Sequence, residues 1–127
     1  MAITHLADTS ALAELHQATV AARIGPLLVG GQVATCAIVD LEVLANVDGP
    51  DRAEVLIERR SFPRVPCGDD ALDRAIQVQG LLGDPSPPPV ALVVAAAAEL
   101  AGLVLLHNDE TFVRIASVTE QAIERVV

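Results

Sequence analysis

Tryptophan, tyrosine and lysine are absent from this chain. Without Trp or Tyr the core must be built from Leu, Val, Ile and Ala, with Phe62 and Phe112 as the only rings. Without Lys there is no Walker-type GxxxxGK phosphate loop. A phosphoacceptor receiver domain, which also gathers Asp at strand ends, would lack the Lys it wants near its last strand. All 8 basic residues are Arg, and the formal net charge is −9 at pH 7. That balance excludes a protein that grips nucleic acid by broad phosphate neutralisation. It leaves a site that collects carboxylates around a cation, or a surface that meets a basic protein partner.

Cysteine is scarce too. Cys36 and Cys67 form no CxxC or Cys/His spacing, so a zinc site is not expected. Both read as buried free thiols, which suits a reducing compartment. The start, MAITHLADTS, lacks a charged region followed by an apolar core, so no signal peptide is expected and the location expected is cytoplasmic. Val90 to Leu106 is almost continuously apolar, but Glu99 and Gly102 interrupt it, and it falls short of the ~20 residues of a membrane span.

What is present reads as one α/β domain over residues 1–127. Ala2 to Ala7 is a short apolar strand, ended by Asp8-Thr9-Ser10. Ala11 to Ile24 is amphipathic, with Leu12, Leu15, Thr19 and Ala22 on one face, and Gly25-Pro26 should stop it; Pro26 to Val29 is at most one further turn. Gln32 to Ile38 is β-branched enough for a second strand. Val39 to Asn46 is a helix with Leu41, Leu44 and Ala45 together. A polar helix over Arg52 to Arg60, a brief strand over Pro63 to Cys67, and a helix over Ala71 to Leu82 burying Leu72, Ala75, Ile76 and Leu82 follow. Pro89 to Ala101 is a helix with both ends marked, by proline in its first turn and by Gly102 just past its end. Leu103 to Leu106 is a buried strand. Thr111 to Ala116 is a helical turn, and Ser117 to Thr119 the last strand. Strands alternating with helices imply βαβ units, hence a parallel sheet with helices on both faces.

The acids then fall in a pattern. Asp8 ends the first strand, Glu42 opens the helix after the second, and Asp109 ends the strand after the Ala-rich helix. In an open parallel sheet those positions share one edge, where sites form. Clustered carboxylates raise one another's pKa, and a divalent cation relieves that repulsion. Oxygen-only ligands select Mg²⁺ or Mn²⁺, and such a metal suits phosphodiester hydrolysis. The bland alternative is that these acids cap helices. Arg52, Arg59, Arg60 and Arg64 could touch substrate phosphates, against a plainer reading as a solvated face paired with Glu54 and Glu58. His107 reads as a structural histidine. Ser10 has no GxSxG elbow to make it a nucleophile.

Four segments carry a resemblance: LADTSAL (6–12), ATCAIVDLEVL (34–44), DRAIQVQGLL (73–82) and AAAAELAGLVLLHNDETFVRIASVTEQ (95–121). In order, and over almost the whole chain, they resemble PIN-domain ribonucleases, specifically the VapC-type toxins of bacterial toxin–antitoxin pairs. The resemblance implies a three-layer α/β/α sandwich around a mostly parallel sheet. It implies a Mg²⁺- or Mn²⁺-dependent endoribonuclease, a homodimer, and neutralisation by a VapB-type antitoxin. Asp8, Glu42 and Asp109 match three of the family's acids; Thr9, Ser10 and Asp40 would support them, with Glu110 a neighbour. The family's remaining acid opens a helix in a Pro-Asp-Leu-Leu-Ile-Ala-Ala pattern. Here that position is Ala91, in Val90-Ala91-Leu92-Val93-Val94-Ala95-Ala96. Either an engineered knockout or a natural attenuation accounts for the methyl group. A non-catalytic module that binds a basic partner fits the same acidic balance.

Overall fold

A computed structural model describes residues 2–127. The described residues form four strands and seven α-helices: β1 (His5–Ala7), α1 (Thr9–Leu12), α2 (Ala18–Val29), β2 (Val33–Ala34), α3 (Ala37–Ala45), α4 (Arg52–Arg60), α5 (Asp69–Leu82), α6 (Pro89–Ala101), β3 (Val104–His107), α7 (Glu110–Thr119) and β4 (Ile123–Arg125). The sheet order is β2-β1-β3-β4, with every pair parallel. Side chains alternate across a strand, so neighbours in sequence serve opposite cores. Leu6, Ala34 and Leu105 face a cluster with α3, α5, α6 and α7. Ala7, Val33 and Leu106 face a smaller one with Ala11, Val20 and Ile24. The expected three-layer α/β/α sandwich is therefore present.

The Ala-rich helix α6 runs over the span its end signals predict. It is buried almost all round, from Ala91 and Leu92 through Val94 to Ala98, which is why its sequence shows little amphipathicity. Gly102 stops it in a left-handed conformation, φ 69°, and Leu103 N–H returns to the Ala98 carbonyl at 3.0 Å. A Cβ built on Gly102 would meet nothing within 4 Å, so a side chain there is opposed by backbone conformation alone. Gly102→Ala should destabilise the fold by about 1 kcal/mol in urea unfolding, with unchanged m-value.

Several expectations fail for identifiable reasons. The helix expected over 11–24 is split: α1 is one short turn, and α2 starts at Ala18 and continues through Pro26 to Val29. Pro26 is exposed, and Ile24, Leu27 and Leu28 hold the last turns against the second core, so packing outweighs the proline. The buried face of α2 is Val20 and Ile24, while Thr19 and Ala22 are exposed. The second strand is only Val33–Ala34, because Cys36 is already the N-cap of α3. On α3, Leu44 is buried with Val39 and Asp40, whereas Leu41 is 61% exposed. The strand expected over 63–67 reduces to a single parallel bridge, Thr35 to Arg64. On α5 the inward residues are Ala71, Ala75 and Val78; Leu72 and Ile76 face outward. Apolar residues on both faces of that helix leave the sequence pattern ambiguous. Ser117 to Thr119 is the last turn of α7, and the last strand is Ile123–Arg125.

Candidate active site

In a parallel α/β arrangement the helix N-termini gather at the sheet's C-terminal edge. Here β1 runs out into α1, α3 follows β2, α6 begins beside them, and α7 follows β3. One open cleft of about 660 Å³ lies at that edge, and Asp8, Glu42, Ala91 and Asp109 all line it, with Thr9 and Ser10. Four segments remote in sequence thus meet where the strand order and the acids said they would. The rest of the wall is largely apolar, including Leu12, Val43, Val90 and Phe112, and no Arg or His lines it.

Asp8 is the most enclosed of the acids lining the cleft, 5% exposed. It caps α1: its Oδ2 accepts from Ser10 N–H at 2.9 Å and from Ser10 Oγ at 2.6 Å. Ser10 Oγ in turn accepts from Asn108 N–H at 2.9 Å, so one hydroxyl joins the ends of β1 and β3. Sequence reading singled out Ser10 beside Asp8 but gave no sign of this bridge, which depends on strands 98 residues apart lying side by side. Thr9, expected to support the acids, donates to Glu42 Oε1 at 3.3 Å. Asp109 is exposed, and its Oδ1 caps α7 by accepting from Thr111 N–H at 2.9 Å. The Asp109 N–H donates to Nδ1 of His107 at 3.2 Å. His107 is fully buried against Phe112, the structural role expected of it.

Burial pushes the Glu42 carboxyl above the usual glutamate range; the nearby Asp8 charge adds to this, and the Thr9 bond partly offsets it. The sign follows from linkage. A carboxyl whose folded pKa is raised favours folding when protonated, and that stability is lost as pH rises through the folded value. Glu42→Gln should therefore raise the melting temperature modestly at pH 7. The gain should vanish when the pH is taken below the ordinary glutamate pKa of about 4.3. Thermal unfolding of both proteins across pH 3.5 to 7 measures it.

Asp40 does not line the cleft. Positions two apart on a helix point to opposite sides, so α3 cannot present Asp40 and Glu42 to the same space. Asp40 is buried, accepting from Arg59 Nε at 3.0 Å, Arg64 Nη2 at 2.6 Å and Thr35 Oγ1 at 2.8 Å. Arg59 is buried with it, above the Phe62 ring at 4.6 Å. Arg59 is thus buried away from any phosphate, and both Arg59 and Arg64 pair with Asp40 rather than with Glu54 or Glu58. Glu110 pairs with Arg125 at 2.6 Å and stands outside the cleft lining.

The oxygen-only donors suit a hard divalent cation, but their number falls short. Among the described residues, no three carboxylate, imidazole or thiol groups are gathered closely enough to hold a metal ion. Asp8 and Glu42 interact, Asp109 lines the same cleft, and Ala91, only 8% exposed, brings a methyl group to it.

A PIN domain model matches residues 6–118. Ribonuclease VapC21 of Mycobacterium tuberculosis is 35% identical over 133 aligned positions, covering 100% of this chain and 96% of the relative. Ribonuclease VapC18 of the same organism is 35% identical over 127 positions, covering 94% and 93%. In three dimensions the chain resembles a DNA-bound VapBC from Salmonella typhimurium, with a TM-score of 0.77 over 98% of this chain and 99% of that one, at 18% identity. A toxin–antitoxin complex from Klebsiella pneumoniae gives a TM-score of 0.74 over 98% of both chains, at 16% identity. With the domain matched across most of its length and relatives this similar end to end, the chain belongs to the PIN domain family, among the VapC-type proteins.

Proposed function

We propose that this chain is an endoribonuclease toxin that hydrolyses RNA phosphodiesters with Mg²⁺ or Mn²⁺, and that Ala91 leaves it impaired. The observation that carries this reading is the single cleft lined by Asp8, Glu42, Ala91 and Asp109. The relatives named ribonucleases support the substrate class. Asp8 and Glu42, with Asp109, would hold the cation, which when bound supplies charge against a phosphate and an activated water. Ser10 and Thr9 hold the two inner carboxylates in place. The absence of Arg from the cleft lining fits substrate entry through a metal rather than through side-chain cations.

The structural neighbours that are VapBC complexes support an antitoxin of VapB type as the neutralising partner. A homodimer belongs to the same proposal: Leu72 and Ile76 stand exposed beside Leu92 and Val93 in a shallow apolar groove. Among the described residues, no helix is long and apolar enough to cross a membrane.

The test is RNA cleavage by the Ala91→Asp protein with Mg²⁺ or Mn²⁺, with EDTA and an added Asp8→Asn substitution as controls. Cleavage abolished by both controls is the expected result. If folded Ala91→Asp protein cuts none of a pool of single-stranded RNAs, the nuclease reading falls. A second reading is then favoured by the lack of three gathered ligands: a non-catalytic acidic module that sequesters a basic partner.

A further inference from the structure

The two cysteines are brought together by an irregular piece of the sheet edge. Thr35 bridges Arg64 in parallel, through Thr35 N–H to the Pro63 carbonyl at 2.8 Å and Val65 N–H to the Thr35 carbonyl at 2.9 Å. Thr35 and Arg64 both turn to Asp40. Alternation along extended chain then sends Cys36, Val65 and Cys67 to the opposite side. There, Val65 and Cys67 pack on the core cluster that contains Cys36. Both thiols are free, Cys36 fully buried and Cys67 partly exposed.

We propose that Cys36 and Cys67 are a redox pair that a small-molecule disulfide converts to an intramolecular disulfide, tying the start of α3 to the chain ahead of α5. The proposal is independent of the nuclease reading. Cys67 is the entry point. Its thiol is the partly exposed one of the pair, whereas Cys36 is fully buried. The Cys67 thiolate attacks one sulfur of glutathione disulfide, and the first glutathione thiolate leaves. The Cys36 thiolate then attacks the Cys67 sulfur, and the second leaves. Two protons pass from the cysteines to the released thiolates, and two electrons from the cysteines reduce the oxidant. Burial, with Cys67 as a close neighbour, pushes the Cys36 thiol up to about 11, so Cys36 keeps its proton against the free oxidant and reacts second, once Cys67 is a mixed disulfide beside it.

The consequence is mechanical. Cys36 is the N-cap of α3, which carries both Asp40 and Glu42. Cys67 stands just before α5, which packs along α6 and so along the helix bearing Ala91. The bridge would fix those two arms of the fold to each other, and would also constrain the unfolded chain.

The experiment oxidises the folded protein with glutathione disulfide, then maps peptides by mass spectrometry without reduction. A Cys36–Cys67 cross-linked peptide lighter by two hydrogens, with a melting temperature raised by roughly 10 °C and restored by dithiothreitol, is the expected result. Cys36→Ala should instead trap a glutathione adduct on Cys67, and Cys67→Ala should leave Cys36 unreacted. An adduct on Cys67 that persists in the unsubstituted protein, a disulfide between two copies, or two unmodified thiols would each overturn the proposal. Should the buried Cys36→Ala protein fail to fold, the peptide map of the unsubstituted chain still decides.

Discussion

Ala91→Asp should raise Mg²⁺- or Mn²⁺-dependent RNA cleavage by about 10²-fold or more, the scale on which misplacement of a reacting group is felt. Ala91 lies in the first turn of α6, faces the cleft shared with Asp8, Glu42 and Asp109, and is 8% exposed. That turn contains no acid, and its N-cap Pro88 offers no capping side chain. An aspartate there would complement the helix dipole and add the oxygen donors the cleft lacks. It would also add a third negative charge beside Asp8 and Glu42, whose mutual repulsion already adds to the effect of burial in raising the Glu42 carboxyl. The same substitution should therefore lower the melting temperature in EDTA. Added Mn²⁺ should raise it again, because a ligand that binds only the folded state stabilises by mass action. The unsubstituted chain should show a much smaller Mn²⁺ shift. Equal shifts in the two proteins would remove Ala91 as the cause of weak metal binding, even if cleavage improved.

The fold was legible where local chemistry and packing agree. Pro89 and Gly102 bracket α6, and both ends fall where the sequence puts them. The meeting of Asp8, Glu42 and Asp109 followed from strand–helix alternation, because parallel topology sends such positions to one edge, and the family resemblance added Ala91 to them. What escaped was whatever depends on tertiary partners. Helix α2 passes through Pro26 because Ile24, Leu27 and Leu28 are held by the second core. The outward Leu72 and Ile76 read as core because nothing local distinguishes them from Ala71 and Val78. Asp40 and Glu42 are two acids two residues apart in one motif. Only the helix phase, which sends one to the cleft and the other to Arg59, separates structure from chemistry.

That buried pair sets the largest stability effect expected in the molecule. Asp40→Ala should cost about 3–5 kcal/mol, the range for removing one partner of a buried ion pair. Arg59 is 5% exposed, with its Nε on Asp40 Oδ1 and Nη2 on Thr35 Oγ1 at 2.7 Å. Without Asp40, a guanidinium would remain inside with one hydroxyl and the Phe62 ring. Arg59→Met should cost less, because Asp40 keeps Arg64 at 2.6 Å, a pair whose arginine is half in solvent and whose charge remains hydrated. The double substitution Asp40→Leu with Arg59→Met should be milder than Asp40→Ala, since no uncompensated charge is left buried. Urea unfolding of the three proteins gives the ranking. The double substitution also separates stability from activity. Asp40 and Glu42 share α3, and Arg59 and Arg64 fix that helix to α4 and to the sheet edge. In the Ala91→Asp background, a stable double variant that loses cleavage would make the ion pair the device that positions Glu42. One that keeps cleavage would leave it a purely structural contact.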